Sequence, residues 1–132
     1  MLDNNIETVV FNEIATLLFA NYSGITVYGE YVPVPSSFPS VSVIEIANMT
    51  AEQDLTGATT HSTLVFQVDV YSNLEAGKKS QCLSIASDID SVMQRFGFRR
   101  FSFDAVPNYT DATIYRMTGR YQRNVAAGDS RF

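Results

Sequence analysis

Residues Thr63 to Ser72 read TLVFQVDVYS, in which Leu64, Phe66, Val68 and Val70 alternate without a break with Val65, Gln67, Asp69 and Tyr71. A period of two is the signature of a β-strand, and here one of its faces is wholly apolar. Four large apolar side chains on one face have to lie beneath a second layer, and two stretches of helical period can supply it. The first carries Ile6, Val9, Val10, Ile14, Leu17 and Leu18 on one stripe. Asn4 and Glu7 have the spacing of a capping box at its start, and Asn21 to Gly24 stops it after four to five turns. The second carries Cys82, Ile85, Ala86, Ile89, Val92, Met93 and Phe96, with Gly97 placed as a terminator of positive φ. Its entry falls at Ser72-Asn73 or a few residues later, because Gly77 would weaken a first turn.

Four further stretches read as strands or their connectors. Ile25 to Val32 is β-branched and aromatic and runs into VPVPSSFPSV, where Pro33, Pro35 and Pro39 predict an extended edge or connector. In Val41 to Ala47, Val41 and Val43 point one way and Ile44 and Ile46 the other. Phe98 to Ala105 places Phe101 and Phe103 on one face, and Ala112 to Val125 follows after the turn VPNYTD. Between the second and third strands, Asn48 to Ser62 is polar and without clean periodicity, which predicts a long, mobile or binding loop. The pattern therefore predicts an α+β fold: one mostly antiparallel or mixed sheet of four to five strands, with two amphipathic helices packed on one face. Residues 1–125 form a single domain in this reading, and 126–132 a flexible tail. The second sheet face, with Val65 and Tyr71, is half apolar and lacks a helix to cover it.

The remaining residues exclude more chemistry than they suggest. One cysteine, Cys82, and one histidine, His61, rule out a disulfide framework and a zinc-ligand spacing. Cys82 on a core stripe reads as a small buried hydrophobe, and His61 as a solvated loop residue. Asp88 and Asp90, two apart in a helix, diverge by about 200° and make a poor metal pair. Asp69 points away from the apolar face and is expected at an edge or in solvent. No phosphate loop, nucleophile elbow or zincin motif occurs, so neither catalysis nor a cofactor is expected. The opening residues MLDNNIE carry neither a basic leader nor an apolar run, and no stretch of about 20 apolar residues could span a bilayer; the expectation is a soluble protein without a membrane partner.

The formal net charge of -5 hides a division. Residues 1–77 hold nine acids and no Lys or Arg, whereas residues 78–132 hold nine bases against five acids. The bases include the run YRMTGRYQRNV, where strand geometry puts Arg116 and Arg120 on one face with Thr118 and Gln122, and Arg123 on the other with Met117 and Tyr121. Three readings follow: a solvated outer face, a phosphate contact that the pI near 4.6 opposes, or a subunit interface that meets the acidic half of a neighbouring copy. The last makes Arg116, Arg120 and Arg123 candidates on one side and Glu30, Glu45, Gln53 and Asp54 on the other.

Four segments in order, FPSVSVIE, FQVDVYSN, IDSVMQRFGF and IYRMTGRYQ, resemble the tail terminator proteins of long-tailed bacteriophages, also called tail completion or head-to-tail joining proteins. The resemblance covers about residues 5 to 125, and the 48–62 loop departs from the more compact hairpin of some members. It implies a non-enzymatic virion protein, assembled in the host cytoplasm, that forms a homo-hexameric ring on the tail tube protein, stops tube polymerisation and offers a surface to a head-completion or connector protein. DNA would pass through the lumen without sequence-specific binding. Another neck or head-completion protein and a small ligand-binding α+β domain are the alternatives.

Overall fold

The computed structural model describes residues 5–53, 55–57, 59–107 and 111–126. The chain runs α1 (Asn5–Asn21), β1 (Thr26–Tyr28), β2 (Ser40–Gln53), β3 (Thr59–Ser72), α2 (Lys78–Arg95), β4 (Arg99–Val106) and β5 (Tyr115–Ala126). The strands form one mixed sheet in the order β1-β2-β3-β5-β4. Only β1 and β2 are parallel; the other three ladders are antiparallel.

Both helices lie on one face, over the apolar side of β3. Val10, Ile14 and Leu18 of α1 and Cys82, Ile85, Ile89, Val92 and Met93 of α2 meet Val41, Val43, Leu64, Phe66, Val68 and Val70 in one core cluster. Phe66 packs edge-on against Phe98 with ring centroids 5.2 Å apart. Cys82 is buried there with its thiol against the Val70 carbonyl oxygen, and burial pushes its pKa up to about 12.

The ends of α2 follow from two glycines. Gly77 precedes the helix at φ 85°, so the helix begins only at Lys78. After it, Gly97 at φ 82° lets the Phe98 amide reach the Met93 carbonyl and the Gly97 amide reach that of Gln94, both at 2.9 Å, which satisfies carbonyls the helix would leave open. Asp88 and Asp90 do diverge: Asp88 accepts from Tyr22 Oη and Asn21 Nδ2 of the α1 end, Asp90 from Tyr121 Oη and Gln94 Nε2. Asn4, the expected cap of α1, lies outside the described residues.

Several expectations are corrected. The polar stretch 48–62 is mostly strand: β2 continues to Gln53 and β3 starts at Thr59, and the two pair from Ser40↔Tyr71 to Gln53↔Thr59. Toward this end neither Met49 nor Thr50 is covered, so the strand needs no apolar face and its pattern disappears from the sequence. His61 is accordingly a half-buried strand residue paired with Glu52 and Ala126, not a loop histidine. The strand expected from Ile25 to Val32 stops at Tyr28, where the chain turns away to become the Pro-rich connector. In β4 a register shift between Arg100 and Ser102 separates the two phenylalanines, leaving Phe101 44% exposed while Phe103 packs against the core. Ala126 ends β5, and the remaining tail 127–132 lies outside the described residues.

Because Phe66 is fully buried and in edge contact with Phe98, Phe66→Ala should cost about 3–5 kcal/mol of stability. Chemical denaturation monitored by circular dichroism should show the lower midpoint.

Candidate subunit interface

On the sheet face opposite the helices, Asp69 is completely buried, which corrects its expected place in solvent. Its Oδ1 accepts from Arg116 Nε at 3.0 Å, Arg116 Nη2 at 2.8 Å and Thr118 Oγ1 at 2.5 Å, and its Oδ2 from Gln67 Nε2 at 3.1 Å. The register explains the set: Asp69 sits opposite Thr118 and Tyr71 opposite Arg116, while Gln67 is two residues back on the same face. Burial pulls the Arg116 pKa down, but the hydrogen bonds and charge of Asp69 outweigh it and leave the guanidinium above its ordinary value.

The connector between β1 and β2 closes over this cluster. Ser42 Oγ donates to the Glu30 carbonyl at 2.7 Å, and the Tyr31 ring stands 5.5 Å from the Arg116 guanidinium carbon, which also lies 5.7 Å from the ring of Tyr71. Tyr71 is fully buried, and burial, with the Asp69 charge behind it, pushes its hydroxyl up to about 12. The half-apolar outer face thus receives its cover from the chain's own Pro-rich segment at one end.

The three arginines have separate surroundings. Arg116 is held inside the subunit by Asp69. Arg123, on the helix face, donates from Nη1 to the Phe96 carbonyl at the end of α2 at 2.6 Å. Arg120 is exposed on the outer face, where its Nε reaches Gln67 Oε1 at 3.2 Å. Of the acidic candidates, Glu30 is exposed on the connector and Glu45 is on the helix face, opposite Phe66. Gln53 ends β2, and Asp54 lies outside the described residues. Sequence reasoning passed over exposed Arg99, which β4 places opposite Gln122 and so on the same outer face as Arg120.

The strand order turns the charge division of the sequence into one across the sheet. β1 and β2, with their connector, contain Glu30, Glu45 and Glu52 and no base; β5 and β4 contain Arg99, Arg100, Arg116, Arg120 and Arg123 against Asp104 alone. Opposite sides of the sheet therefore carry opposite signs. Among the described residues no cluster of three or more His, Cys, Asp or Glu could hold a metal ion, and no helix is long and apolar enough to cross a membrane. Compared with known proteins, the chain matches no protein-family model and no curated sequence.

Two outcomes follow. Arg116→Ala leaves the Asp69 carboxylate buried without its counter-charge and should cost about 3 kcal/mol; Arg116→Met with Asp69→Leu should recover most of that loss, as denaturant midpoints would register. Glu45 is the second case. Burial raises its carboxyl pKa above the ordinary 4.5, a hydrogen bond from Asn48 opposes the rise, and the charge of Glu7 adds to it. The folded protein then holds this proton to higher pH than the unfolded chain, so the group's contribution is greatest at low pH and is lost as pH climbs through the raised value. Glu45→Gln should flatten that part of the stability profile and raise Tm at neutral pH relative to wild type.

Proposed function

We propose that the chain is a tail terminator of a long-tailed bacteriophage: a structural virion subunit that closes head-to-tail into a ring at the end of the tail tube, stops tube growth and presents a surface for head joining. The observation that carries this reading is the division of charge across the sheet, with acids on the β1–β2 side and arginines on the β4–β5 side. A surface that is not self-complementary but complements the far side of its own copy favours a heterologous contact, and heterologous contacts close into rings when the rotation divides the circle. The resemblance of FPSVSVIE, FQVDVYSN, IDSVMQRFGF and IYRMTGRYQ to that family supplies the biological setting. The described groups that could have served chemistry have structural duties: Cys82 is in the core, Asp69 is neutralised by Arg116, and Asp88 and Asp90 fasten α1 and β5 to α2.

Arg120→Glu is the direct test. Its exposed strand position should tolerate the change within about 0.5 kcal/mol, while like charges across the contact should weaken ring formation, and Glu30→Lys should restore part of it if Glu30 is the facing acid. Wild-type association should also weaken with salt, since exposed pairs are screened beyond about 8 Å at physiological ionic strength. Sedimentation and electron microscopy, with and without tail tubes, read both effects. Wild-type protein that stays monomeric under all of these conditions would overturn the proposal.

A further inference from the structure

The two ends of the sheet differ in shape as its two sides differ in charge. At one end the β2–β3 hairpin runs out to Gln53↔Thr59, well past the last β4 pairing of β5 at Arg99↔Gln122. The hairpin carries apolar side chains in water: Leu55 in the turn is 108% exposed, Met49 54% and, further back in β2, Ile46 45%. In sequence, residues 45–57 hold Glu45, Glu52 and Asp54 and no base. Single exposed apolar residues are ordinary, but Leu55 at the very turn, with Met49 and Ile46 further back along β2, gives the hairpin apolar surface a partner could cover.

At the other end, where Val106 faces Arg116 and Ser72 faces Tyr115, an open cleft of ≈ 490 Å³ is lined by Ala105, Val106, Pro107, Ala112, Ile114 and Arg116. Its walls are mostly apolar. Lys78 reaches the neighbouring Thr113 carbonyl at 3.4 Å, with Lys79 next in the chain, while the Asp111 carboxylate accepts from the amide and hydroxyl of Thr113 at 2.9 and 2.7 Å. A hairpin with an apolar tip and an apolar cleft flanked by Lys78 and Asp111 thus occupy opposite ends of one molecule.

We propose that the hairpin tip of one copy, anchored by Leu55, seats in the Ala112–Ile114 cleft of the next copy. The proposal rests on the ring reading and gives it a specific contact: charge steers the two copies, and the leucine supplies the apolar anchor. A knob and a hole at opposite ends make the contact heterologous, so every copy can use both at once.

Two full-length variants test it. Leu55→Asp removes the knob and keeps the cleft; Ala112→Asp blocks the cleft and keeps the knob; both positions are exposed, so melting curves should overlay wild type. Sedimentation velocity, with tail tubes added if wild type requires them, should show each variant associating on the order of ten- to a hundredfold more weakly, the loss for one buried leucine. An equimolar mixture of the two should form a one-to-one dimer and nothing larger, because each pair retains a single intact knob and hole. Leu55→Asp protein that builds wild-type rings would overturn this contact and leave the terminator reading standing. So would a mixture that remains monomeric, or Ala112→Asp protein that by itself associates as wild type does, which is the outcome for tip-to-tip pairing. Wild type that never associates, with or without tubes, would overturn both.

Discussion

Asp69 is a carboxylate with no water to solvate it, and much of the outer half of the molecule is arranged around that fact. A buried charge is tolerated only when its partners are close and its lone pairs are filled. Here the partners come from the next strand in register, Arg116 and Thr118, and from Gln67 on the same strand. Forming the cluster therefore requires β3 and β5 to be paired as they are, and one residue of slip would send Arg116 to the helix face. The pair does little for stability compared with an apolar substitute. We read its value as fixing the register of the two central strands and giving the connector, through Tyr31, a cation to rest on.

That arrangement also settles how a positive run in an acidic chain is used. YRMTGRYQRNV looks like one basic patch, but it is three arginines with three tasks. Arg116 neutralises a buried acid, Arg123 satisfies a carbonyl at the end of α2, and Arg120 is the one whose side chain stands exposed on the outer face. The interface reading consequently rests on Arg120 and on Arg99 beside it rather than on the run as a whole.

What the sequence made legible is what depends on burial. The alternation of β3, both helical stripes and the Gly97 terminator all follow from apolar spacing or from a backbone need that glycine meets, and the structure places them as expected. The hairpin extension was illegible because neither Met49 nor Thr50 is buried near its end, so no face had to be apolar. Phe101 was misplaced because a register shift in β4 breaks the count of two, and the shift between Glu45 and Ala47 in β2 breaks it likewise. Asp69 was misread for a different reason. Nothing local marks an acid as buried when its counter-charge lies 47 residues away, and only strand pairing brings the two together.

The distribution of those shifts bears on how copies can meet. β3 and β5, in the middle of the sheet, pair from His61↔Ala126 to Ser72↔Tyr115 without a shift. The ladders of the outer strands are the ones interrupted, β2 at three places and β4 at one. β1 pairs with β2 only from Ser40 to Ser42, so among the described residues the rest of β2, and the outer side of β4, have no strand alongside. Unpaired edges invite indiscriminate strand addition, and bulges are a common means of blunting them. Opposite charge along two smooth edges would favour open-ended zipping of sheets into fibres. In the ring assembly we propose, interrupted edges would keep the electrostatic attraction but deny it a continuous ladder, leaving orientation to be decided by shape, at the projecting hairpin and the cleft.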